Sequence, residues 1–169
     1  MTVQKYRSYY HSRIGILEII VTDEAVLSID FVSEVIPGGP GDGVFYMKAP
    51  DRHPLLKACS QQLDEYFKGK RKEFDLPVQP QGTPFQESAW AELRKIPYGT
   101  VISYGEQARR MGKEKAVRAV GGANGKNKIV IVIPCHRVIG KDGKLTGFGA
   151  GIDKKQWLLE HEKKVVAGT

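Results

Sequence analysis

A cysteine and a histidine stand side by side in the stretch IVIVIPCHRVIG, residues 129–140. Cys135 is one of only two cysteines in the 169 residues of the chain. A thiol with an ordinary pKa of about 8.5 reacts slowly at neutral pH, and a nearby imidazole can take its proton to give the nucleophilic thiolate. The pair predicts a thiol nucleophile at Cys135 served by His136, although a structural cysteine beside an unrelated histidine would give the same two letters.

The apolar run IVIVI, residues 129–133, has the length and the β-branching of a buried strand. Pro134 would end the pairing of that strand, which places Cys135 at a strand end. Neighbouring side chains on a strand point to opposite faces. A contact between Cys135 and His136 therefore requires a turn at the proline or a bridging water.

A carboxylate that could orient His136 lies in the C-terminal stretch DKKQWLLEHEKKV, residues 153–165. The stretch predicts a helix, with Asp153 and Gln156 as N-cap and capping box. Glu162 follows the apolar pair LL by three and four positions, so it shares a buried face and needs a partner there. We expect a relay of Cys135, His136 and Glu162. The residues predicted on the buried side of this helix are Trp157, Leu158, His161 and Val165.

Two helix starts precede the cysteine. In TPFQ, Thr83 and Gln86 form a capping box around a proline at the first helical position. SYGE, residues 103–106, is a second capping box, and Gly112 should end its helix. KEKAVRAVGGANG then predicts another helix that begins at once. Two short helices joined at a glycine are typical of a helix-turn-helix, and equally of any helical hairpin.

The stretch RAVGGANG, residues 118–125, is unusual for a helix because each interior glycine costs about 1 kcal/mol relative to alanine. One interpretation is that the helix ends at Val120. The other is that small side chains allow the backbone to approach a partner closely. The minor groove of DNA, about 6 Å wide, is a partner that would require this.

Positive charge is concentrated in the second half of the chain. The net charge is +7, with −1 over residues 1–83 and +8 over residues 84–169. The excess favours a polyanion partner, with nucleic acid as the first candidate, although a solvated basic surface would give the same count.

The first half of the chain predicts an α+β domain. Residues 14–21 and 26–32 have the apolar pattern of an antiparallel strand pair, and the Pro/Gly-rich residues 34–43 predict a loop. HPLLKACSQQLDEYFKGK, residues 53–70, predicts a helix whose apolar stripe includes Cys59. We expect Cys59 to be a small buried hydrophobic residue.

The proline-rich stretch LPVQPQGTP, residues 76–84, coincides with the change in charge and is the expected domain boundary. We therefore predict an N-terminal domain over 1–80 and a C-terminal domain over 83–165. No segment reaches the roughly 20 apolar residues of a membrane helix, and the polar start MTVQKYRSYYHSR does not have the apolar core of a secretory signal. We expect a cytoplasmic protein without a membrane partner. Cysteines 76 positions apart form no disulfide framework and no zinc spacing.

The motifs IPCHRVIG, SYGEQA, RAVGGANGKN and WLLEHE together resemble those of the O6-alkylguanine-DNA alkyltransferases, also called methylated-DNA–protein-cysteine methyltransferases. The resemblance runs in motif order from about Thr83 to Glu162 and extends more loosely over the first half. It implies an α+β, two-domain fold. The N-terminal domain would be ribonuclease-H-like, with an antiparallel sheet and a helix, and the C-terminal domain mainly helical and winged-helix or helix-turn-helix-like.

The resemblance implies direct-reversal DNA repair without a cofactor. The thiolate of Cys135 would take the alkyl group from O6 of guanine once and irreversibly, because a thioether is not hydrolysed. His136 and Glu162 match the relay of the family, in which a water links imidazole and thiol. Tyr104 matches the tyrosine that donates to N3 of the leaving guanine. Asn127 matches the asparagine that braces the turn at the cysteine.

The resemblance also implies that double-stranded DNA carrying O6-alkylguanine is the partner, with the base flipped out and a helix in the minor groove. Arg118 matches the arginine that fills the vacated place in the stack. The chain is expected to be a monomer, with cooperative binding along DNA as an open question, and to be nucleoid-associated when bound. The DNA-binding residues implied are Tyr104, Arg118, Ala119, Gly121, Gly122, Asn124 and Lys126. The substrate pocket implied is formed by Pro134, Val138, Phe148, Gly149 and Ala150.

Three departures from the family pattern affect these expectations. NKIV replaces the more usual NPxP before the active-site run, which makes this segment less rigid and more basic. Ala150 stands where a glycine is frequent, so its methyl group would crowd bulky O6 substituents such as benzyl. Cys59 with His11 or His53 cannot complete a four-ligand zinc site, so no metal is expected.

Three other functions are compatible with parts of the sequence. A relative that senses damage without transfer would lack the acceptor cysteine, which is present here. A thiol hydrolase would use Cys135, His136 and Glu162 on a small substrate, but it leaves the glycine-rich helix and the basic half unexplained. A transcription regulator would use the helix pair and would be indifferent to loss of Cys135. Activity on O4-alkylthymine stays open.

Overall fold

The computed structural model describes residues 3–36 and 43–168, and the chain divides into two compact units, residues 1–80 and 81–169. The loop predicted over 34–43 lies for the most part outside the described residues. Within the described ranges, no helix is long and apolar enough to cross a membrane.

The first unit is a four-stranded sheet in the order β3-β2-β1-β4 with one long helix. β2 pairs antiparallel with both of its neighbours, whereas β4 pairs parallel with β1. Its elements are β1 (Lys5–Ser12), β2 (Gly15–Val21), β3 (Val26–Val32), β4 (Val44–Tyr46), a short 3-10 turn (Pro50–Arg52) and α1 (Pro54–Phe67).

Alternation in β2 builds the core of this unit, since Leu17, Ile19 and Val21 are fully buried at every second position. The predicted antiparallel pair over 14–21 and 26–32 is confirmed by the register of β2 and β3. Cys59 is fully buried on α1, as predicted, and burial raises the pKa of its thiol to about 12. Strand β1 was not predicted from the sequence, because its residues, KYRSYYHS, are mostly polar.

The second unit is mainly helical, so the predicted α+β class, with a sheet in the first half and helices in the second, is confirmed. β5 and β6 form a two-residue parallel ladder, and α4 packs against both α2 and α3. Its elements are α2 (Pro84–Leu93), β5 (Ile102–Ser103), α3 (Tyr104–Arg110), α4 (Val117–Gly125), a 3-10 turn (Cys135–Arg137), β6 (Val138–Ile139) and α5 (Ile152–Val166).

The helix starts follow their capping residues. Thr83 and Gln86 form the predicted capping box at α2. Ser103 caps α3 by accepting from the backbone of Glu106, but the Glu106 carboxylate binds Arg109 and Arg110 instead of closing the box. Gly112, at φ +71°, terminates the α3 segment as predicted.

Helix α4 begins later than predicted and does not end at Val120. It begins at Val117, not directly after Gly112, and it continues through Gly121 and Gly122 to Gly125. An end at Val120 is therefore wrong. Ala116 provides no side-chain cap, so packing against α2 and α3 sustains a helix of low intrinsic stability.

The strand predicted over 129–133 is wrong. These residues form a tight loop in which Val130 and Ile133 make an isolated bridge and Ile131 takes φ +72°. The apolar letters reflect burial, not extension: Ile129, Ile131 and Ile133 are among the most buried side chains of the chain.

The start and the buried face of α5 also differ from expectation. Gly151, at φ +115°, is the N-cap and makes no side-chain bond, so Asp153 and Gln156 form no capping box. The buried row consists of Lys155, Leu158 and Glu162. The other residues predicted on the buried side, Trp157, His161 and Val165, are only half-buried.

Candidate active site

The loop before Cys135 is held by the side chain of Asn127. Its amide nitrogen donates to the carbonyl of Ile133 over 2.8 Å, and its amide oxygen accepts from the backbone of Ile129 over 2.9 Å. A β-branched residue at positive φ, such as Ile131, is disfavoured unless its surroundings enforce it. Asn127 supplies that enforcement with two buried hydrogen bonds.

The 3-10 turn Cys135–Arg137 begins directly after Pro134 and places three functional side chains in succession. Cys135 is 9% exposed, whereas His136 is completely buried. Nε2 of His136 lies 2.7 Å from Oε2 of Glu162, on α5. Because a carboxylate only accepts, Nε2 carries the proton and Nδ1 presents the lone pair. Nδ1 has no hydrogen-bond partner among the described residues.

Burial lowers the pKa of His136 below its ordinary 6.5 and prevails over the opposing effect of Glu162. Burial alone would raise the pKa of Glu162, but the hydrogen bonds from His136 and Arg137 prevail and hold it well below 4.5. The pair therefore consists of a neutral imidazole, able to accept a proton, and an ionised carboxylate that orients it.

Arg137, the third residue of the turn, was not predicted from the sequence as part of the site. Its guanidinium donates to both oxygens of Glu162, from Nε over 2.9 Å and from Nη2 over 3.1 Å. Nη1 donates to the carbonyl of Ile96 over 2.8 Å, and the group lies 5.5 Å from the ring centre of Tyr98. The backbone N–H of Gly99 completes the shell of the carboxylate at 3.1 Å.

Lys155 was also missed. It is fully buried on α5, and its ammonium donates to the carbonyl of Thr146 over 2.7 Å and to the hydroxyl of Tyr104 over 3.4 Å. Burial lowers the pKa of Lys155, and the electrostatic effect of Cys135 opposes this. Its spacing offered a signal, since Lys155 precedes Leu158 by three positions and Glu162 by seven, on one helix face.

Tyr104 is the first residue of α3, and its hydroxyl donates to the carbonyl of Thr146 over 2.9 Å. Burial raises its pKa, with a further rise from the charge of Cys135. Gly147 follows at φ +68°, where a Cβ would lie 3.1 Å from the tyrosine hydroxyl. A glycine here therefore gives the hydroxyl its space.

The expected pocket residues have different environments. Pro134 and Val138 are buried on either side of the turn, and Phe148 is buried in the following loop. Gly149 is exposed, and Ala150 is half-buried.

The expected DNA contacts divide in the same way. Arg118, Ala119 and Gly122 are exposed on α4, and Lys126 is exposed at its C-cap. A Cβ on Gly121 would lie 3.8 Å from the ring of Tyr104, which brings these two residues together. Asn124 does not share this surface, since it is buried and exchanges two hydrogen bonds with Gln107 of α3, of 2.7 and 3.0 Å.

The described residues contain no group of three or more histidine, cysteine, aspartate or glutamate side chains able to hold a metal. The chemistry of the site rests on one thiol with a neutral imidazole, a carboxylate, a phenol and an ammonium around it. Beside it, α3 and α4 form a helix pair with an exposed basic surface.

Comparison with known proteins defines the class of this chain. The family model for the ribonuclease-like domain of 6-O-methylguanine DNA methyltransferase matches residues 5–80, and the model for its DNA-binding domain matches residues 84–164. The chain belongs to the 6-O-methylguanine DNA methyltransferase family.

Individual relatives cover nearly the whole chain. The methylated-DNA–protein-cysteine methyltransferase of Haemophilus influenzae is 43% identical over 94% of this chain and 86% of its own length. The protein of the same name from Methanosarcina acetivorans is 40% identical over 93% of this chain and 97% of its own. A crystal structure of Mycobacterium tuberculosis OGT in complex with DNA has a TM-score of 0.83 at 37% identity, over 96% of this chain and 94% of that one.

Proposed function

We propose that the chain repairs DNA by direct reversal, as a methylated-DNA–protein-cysteine methyltransferase that transfers the alkyl group of O6-alkylguanine to its own Cys135. Membership of the family and the near-complete coverage of its relatives support this activity. One observation carries the proposal: His136, which directly follows Cys135 in the turn, is hydrogen-bonded to Glu162 of α5.

In the proposed reaction, Nδ1 of the neutral His136 takes the thiol proton through a water. The thiolate sulfur then attacks the alkyl carbon, so that a C–S bond forms as the C–O6 bond breaks. The electron pair of the broken bond goes to the guanine, and Tyr104 donates a proton at N3. A thioether contains no hydrolysable bond, so each molecule acts once and needs no cofactor.

Helix α4 is the proposed DNA-binding element. Its exposed face carries small residues and the cationic side chain of Arg118, and its C-cap residue, Lys126, adds a second exposed cation. Cations at this position suit phosphate contacts, and a flat surface suits the minor groove, whose degenerate code matches a search for damage in any sequence. Arg118 would occupy the place of the flipped base. The buried Asn124 is excluded from these contacts and instead fixes the helix.

Every proposed catalytic residue comes from one chain, so we propose that the protein acts as a monomer. Binding to duplex DNA would associate it with the nucleoid. We also propose that Ala150 limits the size of the alkyl group. Replacing it with glycine should raise transfer of a benzyl group relative to methyl, and equal ratios in the two proteins would contradict this role.

The first experiment is intact mass after incubation with a duplex that contains O6-methylguanine, together with a peptide map. We expect a gain of one methyl group per chain, located on Cys135, which then saturates. The matched control is the other cysteine: Cys59→Ala should still gain the methyl group, and Cys135→Ala should bind the duplex without gaining it. Repeated turnover would identify a hydrolase, and binding without mass gain would identify a damage sensor.

A further inference from the structure

Arg137, the third residue of the turn that begins at Cys135, binds the carboxylate that holds His136. Its guanidinium holds Glu162 by two donors, one to each carboxylate oxygen, and both side chains are buried. Two parallel N–H···O bonds fix a carboxylate in orientation as well as in position. The third contact, from Nη1 to the carbonyl of Ile96, anchors the guanidinium to the backbone.

The paired donors Nε and Nη2 of Arg137, called the fork below, determine how the Glu162 carboxylate is oriented toward the His136 imidazole. Oε1 accepts from Arg137 Nε and from the backbone of Gly99, while Oε2 accepts from Arg137 Nη2 and from His136 Nε2. Rotation of the carboxylate would break four hydrogen bonds at once. The orientation of the His136 ring, and with it the direction of the Nδ1 lone pair, therefore depends on Arg137.

The same contact places a fixed positive charge beside the relay. An unbalanced carboxylate next to a buried imidazole would favour the imidazolium form, which cannot accept the thiol proton. The charged groups that act on His136 are Glu162 and Lys155 from α5 and Arg137 from its own turn. Helix α2 also packs against the turn, and its buried carboxylate, Glu92, is bonded to Lys95.

We propose that Arg137 is a positioning residue of the alkyl transfer, which orients Glu162 and balances its charge so that His136 enters the reaction as a neutral base. This inference rests on the proposed function of Cys135, and it adds a residue that, together with burial, sets the pH range over which that function operates.

The test compares Arg137→Gln, which removes the charge, with Arg137→Lys, which keeps the charge and loses the fork. Single-turnover methyl transfer is measured against pH. On the acidic side of the pH–rate profile, we expect the pH at which the rate of Arg137→Gln is half-maximal to be higher than in the wild type by about one pH unit or more. An opposite charge within a few ångströms has effects of this size. For Arg137→Lys, this pH should stay near that of the wild type while the plateau rate falls. Arg52→Gln, on an exposed turn of the first unit, serves as the control.

If the rate of Arg137→Gln falls with acid at the same pH as that of the wild type, and only its plateau rate is lower, the proposal is overturned. Arg137 would then have a purely structural role. An NMR titration of His136 in the unreacted wild type tests the same inference without any variant and without transfer. The pKa of the His136 imidazole should lie below its ordinary 6.5, and an imidazolium at neutral pH would overturn the inference. A wild type that titrates as expected but transfers no methyl group would contradict the proposed function alone.

Discussion

The ammonium of Lys155 and the hydroxyl of Tyr104 donate hydrogen bonds to the same backbone oxygen, that of Thr146, over 2.7 and 2.9 Å. They also lie 3.4 Å from each other. A buried ammonium so placed stabilises negative charge on the phenol oxygen. We therefore predict that Lys155 assists proton donation from Tyr104, whose pKa burial raises, in the proposed reaction. The carbonyl of Thr146 holds the two groups next to each other.

Replacing Lys155 with methionine should slow methyl transfer by about tenfold or more, since assistance by a general acid contributes on the order of 100-fold or more. Stability should change little, because a flexible apolar chain replaces a buried charge that is costly to desolvate. Single-turnover rates and urea midpoints measure the two effects. Lys163→Met, on the exposed side of the same helix, is the control, and a wild-type rate for Lys155→Met would contradict the assignment.

Residues whose roles follow from local spacing were predictable from the sequence. Glu162 follows an apolar pair at helical spacing, and Thr83 precedes Gln86 by three positions, so both roles follow from periodicity. The loop at Ile131 was not predictable in this way, because an apolar run has the same letters in a buried strand and in a buried turn. Its shape depends on the two hydrogen bonds of the Asn127 side chain to the backbone of Ile129 and Ile133, two and six positions further along the chain.

Polar residues in the interior were the hardest to assign. Asn124 lies in a motif of small and basic residues, so an exposed position was the natural expectation. Its partner, Gln107, stands 17 positions earlier, and only the packing of α3 against α4 brings the two amides together. Arg137 and Lys155 were missed for a related reason, since charged residues are assumed to be exposed unless a partner is known.

The hydrogen-bonded amides of Gln107 and Asn124 should fix the position of α4 along α3, which we call its register. Gln107 also donates to the carbonyl of Ala89 on α2, so one buried side chain ties three helices. Either single change to alanine leaves a buried amide unsatisfied, at a cost of about 1–3 kcal/mol in the free energy of unfolding. Changing both residues to leucine should cost less than the two single effects combined.

The same variants should bind undamaged duplex more weakly, because α4 carries Arg118 and ends at the C-cap residue Lys126. Urea unfolding and fluorescence anisotropy measure the two consequences separately. Gln86→Ala, which removes half of a capping box remote in sequence from α4, is a control for stability loss alone. Additive stabilities, or a duplex affinity equal to that of this control, would count against a register role.

Stability should decline in acid in two stages. Because the pKa of His136 is lowered in the folded protein, chiefly by burial, the unfolded chain binds more protons as the pH falls below 6.5. Glu162, whose pKa is also lowered, adds a second stage below 4.5. Each group contributes a slope of up to about 1.4 kcal/mol per pH unit. Urea midpoints measured against pH report the effect. His136→Asn should flatten the first stage. A wild-type midpoint that stays constant down to about pH 5 would refute the contribution of His136.

The Asn127 side chain should be required for the shape of the loop that delivers Cys135. Asn127→Ala removes both buried bonds. The Ile129 amide is left unsatisfied, and the Ile133 carbonyl keeps only the backbone N–H of Cys135 as a donor, which costs about 1–3 kcal/mol in the free energy of unfolding. Asn127→Asp keeps the acceptor for Ile129 but brings a carboxylate oxygen against the Ile133 carbonyl, so it should be no better than alanine. Ile131, at positive φ, would then relax toward an ordinary conformation and displace the turn. The rate at which a thiol reagent labels Cys135, set against that of Cys59 in the same molecule, reports this displacement, and an unchanged ratio in both variants would show that the loop holds its shape without Asn127.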